Sequence, residues 1–248
     1  MIELKNKEQL EKMRTAGRIV AETLEIMKEM VKPGVTTEEL DRAAEQYIRK
    51  CQAIPAFKGY NGFPATLCTS VNEEVVHGIP GLRALKNGDI ISIDCGALYD
   101  GYYGDSAITL PVGEISLECQ ELLKVCEESL KLGIAQAFKG NRLFDISYAI
   151  QSHVEKNGMS VVRDYVGHGI GRKMHEEPQV PNFGKPGRGP RLEIGMALAI
   201  EPMVNLGGYQ VETLKDNWTV ITKDRRASAH FEHTVVITEN GPEILTRI

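Results

Sequence analysis

The chain lacks several features that would assign it to a compartment or a partner at once. No stretch approaches the ~20 apolar residues that a membrane-spanning helix needs, and the N-terminal residues contain no apolar signal core. We therefore expect a cytoplasmic protein without a membrane partner. The net charge is −5, so no general positive field attracts nucleic acid, and a stable nucleic-acid complex is not expected.

Cysteine pairs and several well-known catalytic motifs are also missing. The five cysteines include no CxxC pair and their number is odd, which favours reduced, mostly buried thiols over a disulfide framework or a structural zinc cluster. The sequence contains no HExxH, GxSxG, Walker A or strand-linked GxGxxG motif. These absences argue against zinc peptidases of the HExxH type, serine hydrolases, P-loop NTPases and dinucleotide-binding enzymes.

Apolar residues recur every three or four positions in four segments, which predicts four helices. Asn6 and Gln9 are placed to form a capping box for the first helix. The second helix is predicted to begin near Thr36, with Glu39 as its capping partner, and Gly140 is predicted to close the third. The apolar stripes cover residues 10–31, 40–51, 123–137 and 146–154.

The order of the predicted elements repeats once along the chain. Two helices precede a group of short β-branched runs, and the same order then returns. The segment 88–94 resembles 195–201, and 34–48 resembles 140–154. We expect one catalytic domain over 1–248, built from two similar halves at about 1–112 and 113–248, with one functional site between them.

Carboxylates interrupt the apolar strands at related positions of the two halves. Asp94 ends the run Ile-Ile-Ser-Ile, and Glu201 ends the run Ala-Leu-Ala-Ile. A hairpin bend would bring Asp105 beside Asp94, and Glu232 has the corresponding place in the second half. Four converging carboxylates repel one another, and two divalent cations would compensate their charge. Oxygen ligands with one imidazole suit Mn, Fe, Co or Zn.

Three histidines are candidates for the same site. His168 lies between Gly167 and Gly169, which let the backbone approach closely and leave the imidazole free to point inward. It is the best candidate for the nitrogen ligand. His77 and His175 are candidate hydrogen-bond donors or proton carriers.

These residues lie in long motifs that resemble the type I methionine aminopeptidases, in their short bacterial form. The matching segments are 70–78, 164–169, 199–203 and 230–234, in the order and spacing of that family. The resemblance runs along essentially the whole chain. It implies an α+β, duplicated pita-bread fold, in which two pairs of helices cover a central, mainly antiparallel sheet.

The resemblance also implies a mechanism. Asp94 and Asp105 would bind two divalent metal ions together with His168, Glu201 and Glu232, and a metal-activated hydroxide would attack the carbonyl of an N-terminal methionine. His175 would stabilise the oxyanion and His77 would lie near the scissile nitrogen. Glu201 would also carry a proton to the leaving amine.

By the same resemblance, the methionine side chain would bind in an apolar pocket. Phe57 and Phe63 stand where cysteine and tyrosine are common in this family, which leaves the pocket's shape open. The predicted substrate-binding residues are Tyr60, Phe63, Cys68, Trp218, His77 and His175.

We also expect further partners. A monovalent cation is expected near Asn72, Glu74 and Ser228. We expect the protein to be a monomer that acts on peptides and nascent proteins. The ribosome is a further expected contact. Two alternatives remain open: an Xaa-Pro aminopeptidase-like enzyme, and a pita-bread binding protein that has lost catalysis. A loss of ligands would mark the second alternative, and all of the metal ligands are present.

Overall fold

The computed structural model describes residues 2–248. Helix α1 spans Lys7–Met30 and begins at Asn6, whose side chain accepts from the backbone N–H of Gln9, while the Gln9 side chain accepts from that of Asn6. Helix α2 spans Thr37–Lys50 and begins with the same arrangement at Thr36 and Glu39. Both predicted capping boxes are confirmed. They satisfy backbone donors that would otherwise lack partners.

Five strands follow the first pair of helices. They are β1 (Ile54–Pro55), β2 (Leu67–Val71), β3 (Glu74–Val76), β4 (Ile90–Tyr99) and β5 (Tyr102–Pro111). The apolar runs 90–93 and 107–112 of the sequence predict one strand that ends before Asp94 and another that begins after Asp105, and both of these limits are wrong. Strands β4 and β5 form one long hairpin that continues through Asp94 and Asp105. A carboxylate inside a strand breaks the apolar pattern without breaking the ladder, so pattern alone ended both strands too early.

The second pair of helices is α3 (Leu117–Ile134) and α4 (Leu143–Lys156). Helix α3 ends at Ile134 and not at Gly140 as predicted, because the chain tightens into turns after Ala135, with the N–H of Gln136 bonded to Gly133 O. Ten short strands follow. They are β6 (Ser160–Val161), β7 (Gly167–Gly169), β8 (Glu176–Val180), β9 (Ala197–Ile200), β10 (Met203–Asn205), β11 (Val211–Thr213), β12 (Val220–Thr222), β13 (Ser228–His230), β14 (His233–Thr238) and β15 (Gly241–Ile244).

All of these strands pair antiparallel, in four sheets. In the N-terminal part β4 lies between β1 and β2 and also pairs with β5, and in the C-terminal part the order is β15-β14-β9-β7-β8. The two sheets meet where β5 faces β14: the Thr234 hydroxyl donates to Asp105 O at 2.8 Å, and Glu232 N–H donates to Ala107 O at 2.9 Å. The predicted α+β class is confirmed.

Each pair of helices covers its own apolar core. Met27 of α1 and Ile48 of α2 pack with Ile91 and Ile93 of β4, while Ile146 of α4 packs in a second cluster with the apolar side chains of α3, β9 and β14. None of the helices in residues 2–248 is long and apolar enough to cross a bilayer.

Candidate functional site

Four acidic side chains converge where the two main sheets meet. In the β4–β5 hairpin Asp94 lies opposite Ala107 and Asp105 lies opposite Gly96, so both carboxylates are on one face. Glu201 directly follows β9 and Glu232 directly precedes β14, two strands that pair with each other. The prediction that this second pair of acids comes from a hairpin is wrong, because β10 to β13 lie between them in sequence.

The ligand atoms of three buried residues lie close enough to bind one cation. One atom each of Asp105, His168 and Glu232 lies within 4.8 Å of the others. Nε2 of His168 is also 3.6 Å from a carboxylate oxygen of Glu201. The side chains of Asp105 and Glu232 are almost fully buried, with 4% and 2% of each residue exposed. This is a compact, buried set of hard oxygen donors with one imidazole.

Burial sets the titration of these acids. It raises the pKa of Asp94 to about 7, although a hydrogen bond with Asp105 acts in the opposite direction. Burial also raises the pKa values of Asp105, Glu201 and Glu232 well above the ordinary range, and neighbouring carboxylates raise them further. Among residues 2–248, Oδ1 of Asp94, Oδ1 of Asp105 and Oε1 of Glu232 are buried without a hydrogen-bond partner. Buried oxygens without partners are costly, and divalent cations fit this donor set.

The His168 imidazole is oriented as a metal ligand requires. Its Nδ1 lies 2.9 Å from the backbone oxygen of Gly169. A carbonyl oxygen only accepts, so Nδ1 carries the proton and Nε2 keeps its lone pair toward the acids. Burial lowers the pKa of His168 to about 3, which keeps the ring neutral.

His230, for which the sequence predicts no role, also reaches this cluster. It lies in β13 and is 1% exposed, with Nε2 3.7 Å from a carboxylate oxygen of Glu201. Burial lowers its pKa to about 3. His230 and Glu232 are two positions apart at the end of a strand, which in hindsight is the signal for a shared face.

The acids form the floor of a cavity of about 180 Å³. All of the predicted metal, catalytic and substrate-binding residues line it, and their individual roles remain predictions. Met174, which is 2% exposed, and Asn61 also line it, and neither was predicted. The complete lining is Phe57, Tyr60, Asn61, Phe63, Cys68, His77, Asp94, Asp105, His168, Met174, His175, Glu201, Trp218 and Glu232.

Most of the remaining lining of the cavity is apolar or aromatic. The rings of Phe63 and Trp218 meet edge to face, with centroids 5.1 Å apart, and His77 lies 6.4 Å from Trp218. His77 has a φ of +60°, a left-handed conformation that costs free energy in a non-glycine residue and is common at functional sites. Burial, with His175 nearby, lowers the pKa of His77 to about 4.

A wider and more polar cleft of about 570 Å³ shares His168 and His175 with the cavity. The segment that carries His175 is tied to the N-terminus of the chain, since Lys5 and Glu176 form an ion pair of 2.5 Å with side chains only 1% and 10% exposed. The cleft therefore adjoins the small cavity at His168 and His175.

The residues predicted to hold a monovalent cation do not line this cavity, and several of their polar atoms already have hydrogen-bond partners. Ser228 N–H donates to Asn72 O at 2.9 Å, and one carboxylate oxygen of Glu74 accepts from Val71 N–H at 2.7 Å. Asn72 and Ser228 are therefore neighbours. The binding of a monovalent cation at these residues remains a prediction.

The chain belongs to metallopeptidase family M24, whose model matches residues 11–239. Among curated proteins it is 60% identical to a methionine aminopeptidase of Clostridium perfringens, over the whole length of both chains, and 59% identical to methionine aminopeptidase 1 of Bacillus subtilis, again over 248 residues. The crystal structure of methionine aminopeptidase from Thermotoga maritima superimposes with a TM-score of 0.99 at 48% identity, with complete coverage of both chains. The predicted family and pita-bread fold are confirmed.

Proposed function

We propose that this metallopeptidase removes the initiator methionine from peptides and nascent proteins. The observation that carries the proposal is the cavity itself, which is small and is lined by Phe63, Trp218 and Cys68 together with four buried acidic side chains. Sulfur and aromatic contacts suit a thioether side chain. Similarity to relatives named methionine aminopeptidase over complete chain lengths supports the same specificity.

Asp94, Asp105, His168, Glu201 and Glu232 would hold two divalent cations. Four carboxylates with raised pKa values and three buried oxygens without partners support that number. Such cations act as Lewis acids, lowering the pKa of water and polarising a carbonyl oxygen. The donor types are compatible with Co, Mn, Fe and Zn, and the availability of each metal would decide among them.

The remaining polar residues would orient the substrate and move protons. His175, at the mouth of the cavity, would donate a hydrogen bond to the carbonyl oxygen on which negative charge develops. His77 would contact the scissile amide, and the strained backbone at this residue supports a functional role. Glu201 would pass a proton to the leaving amine, and the neighbouring imidazole of His230 would help to hold its carboxylate in place.

The proposal extends to the organisation of the chain and to its surroundings. The two halves would form one catalytic domain over 1–248, and each contributes two of the four acids. We propose a monomer in the cytoplasm, where newly made proteins supply the substrate. The wide cleft beside the cavity is consistent with a nascent chain that leaves the site, and a contact with the ribosome would bring the two together.

Methionine release from Met-Ala-Ser tests the proposal, with an Xaa-Pro peptide in parallel. Metal-stripped protein receives Mn, Co, Fe or Zn. We expect metal-dependent release of methionine without cleavage of the proline peptide. Asp105→Asn should abolish release, whereas Asp100→Asn, in the exposed turn of the same hairpin, should not. Cleavage of the proline peptide instead would favour the Xaa-Pro alternative, and cleavage of neither peptide with any metal would favour a binding protein.

A further inference from the structure

Two imidazoles, the buried His168 and the exposed His175, lie side by side in the site, and their Nδ1 atoms have chemically different partners. The ring centroids of His168 and His175 are 4.2 Å apart. Nδ1 of His168 faces a backbone oxygen, which can only accept. Nδ1 of His175 lies 2.7 Å from the hydroxyl of Tyr60, which can donate. A neutral imidazole has one donor and one acceptor nitrogen, so the partner of Nδ1 decides what Nε2 can do.

We propose that Tyr60 is a positioning residue that selects the tautomer of His175. Its O–H donates to Nδ1, which keeps the His175 proton on Nε2, the nitrogen that must donate to the substrate carbonyl. The two neighbouring histidines are thereby held in opposite tautomers: His168 offers a bare Nε2 to a cation, and His175 offers an N–H to the substrate. The inference rests on the proposed function, and it gives Tyr60 a role beyond lining the methionine pocket.

The backbone that carries Tyr60 is held in place by hydrogen bonds within its loop. Tyr60 begins a short 3-10 turn, with its N–H bonded to Phe57 O at 2.9 Å and its carbonyl accepting from Phe63 N–H at 2.9 Å. Gly59 N–H closes the same loop on Phe63 O at 2.7 Å. The Tyr60 and His175 ring centroids are 5.3 Å apart. Because the loop is already closed, little further backbone entropy is lost when the Tyr60 hydroxyl engages His175.

The other edge of the His175 ring is free for substrate. Across residues 2–248, the Tyr60 hydroxyl is the one hydrogen-bond partner of this imidazole, and it occupies Nδ1. Phe63, on the same wall of the cavity, has no hydroxyl that could replace Tyr60. Without the Tyr60 O–H, Nδ1 would lose its donor, and the proton would divide between the two nitrogens.

A double-mutant cycle separates this role from pocket lining. Tyr60→Phe keeps the aromatic wall and removes only the hydroxyl. With Met-Ala-Ser we expect kcat to fall about tenfold and KM to change less than about twofold. His175→Ala should lower kcat by about a hundredfold. Adding Tyr60→Phe to His175→Ala should then cost nothing more, because the hydroxyl acts through a ring that is gone.

Tyr103→Phe is the matched control, since Tyr103 packs against the same apolar cluster and its hydroxyl bonds neither histidine. It should leave kcat within about twofold of the wild-type value. The inference is overturned if Tyr60→Phe raises KM alone, or if it lowers kcat equally in the presence and absence of His175.

Nitrogen-15 NMR of histidine-labelled, metal-free protein reads the tautomer directly, with the His175 signals identified by their loss in His175→Ala. We expect an unprotonated Nδ1 and a protonated Nε2 in the wild type, and a mixture in Tyr60→Phe. A protonated Nδ1 in the wild type would mean that Tyr60 accepts, which refutes the inference. If the wild type released no methionine with any metal, the proposed function would fail instead, while the NMR result would still decide the role of Tyr60.

Discussion

Replacing Asp94 by asparagine should stabilise the metal-free protein, and increasingly so as the pH rises. In the unfolded chain Asp94 titrates near its usual value of 3.8, whereas burial raises its pKa to about 7 in the fold. Between these values the folded state retains a proton that the unfolded state has released, so stability falls as the pH rises. At about 1.4 kcal/mol per pH unit the difference reaches up to about 4 kcal/mol by pH 7.

The comparison of Asp94→Asn with wild type measures this contribution together with the effect of Asp94 on the neighbouring acids, whose pKa values it raises. Buried histidines such as His168 and His230 have lowered pKa values and act in the opposite direction, but they are present in both proteins and cancel in the difference. Urea unfolding of both metal-free proteins at pH 5, 6, 7 and 8 measures the difference in their unfolding free energies. A difference in unfolding free energy that does not change with pH would refute the reasoning. Added Mn²⁺ should reverse the order, since only the wild type retains the carboxylate ligand.

Three further substitutions test other parts of the site. Lys5→Met should destabilise the protein by about 3 kcal/mol in urea, because it leaves the Glu176 carboxylate buried and unpaired, and adding Glu176→Gln should restore most of the loss. Gly96→Ala should raise KM for Met-Ala-Ser, because the new methyl group would lie 2.8 Å from the Phe57 ring and push it into the cavity; an unchanged KM would contradict this. His77→Ala should lower kcat with metal content unchanged by elemental analysis, and a parallel loss of metal would show that the role assigned to His77 is wrong.

Local signals in the sequence predicted the helices well and the strands poorly. The capping boxes at Asn6 and Thr36 depend on residues three positions apart, so their chemistry is visible without tertiary structure. Strands β10 to β13 contain only three residues each, too few to show an alternating pattern. The ends of β4 and β5 were missed because Asp94 and Asp105 interrupt an apolar pattern for reasons of function, and pairing with neighbouring strands sustains both strands there.

Residues of the site could likewise be predicted where the signal is local in the sequence, and not where it depends on long-range contacts. Acids at related positions in a repeat could be expected to converge from sequence alone, whereas the walls of the pocket followed only from family resemblance. Met174 directly precedes His175, and His230 lies two positions before Glu232. The apolar or polar character of their side chains was not enough to predict that either residue belongs to the site. The contact of Tyr60 with His175 joins residues 115 positions apart, and no pattern within one strand or helix could have indicated it.

The fold and the proposed chemistry make opposite demands on the same four carboxylates. Apolar side chains at these four positions would bury more apolar surface and would leave no side-chain oxygen without a hydrogen-bond partner. The acids instead raise each other's pKa values, so the metal-free fold loses stability as they ionise, and divalent cations would return that stability by replacing their protons. The two sheets that meet here therefore need strong cores elsewhere. Each helix pair supplies one, around Ile48 in the first half and Ile146 in the second. Because these cores stabilise the fold, the carboxyl oxygens at the floor of the cavity can lack hydrogen-bond partners until a cation binds. For the same reason, replacing Asp94 should stabilise the metal-free protein and destabilise the metal-loaded one.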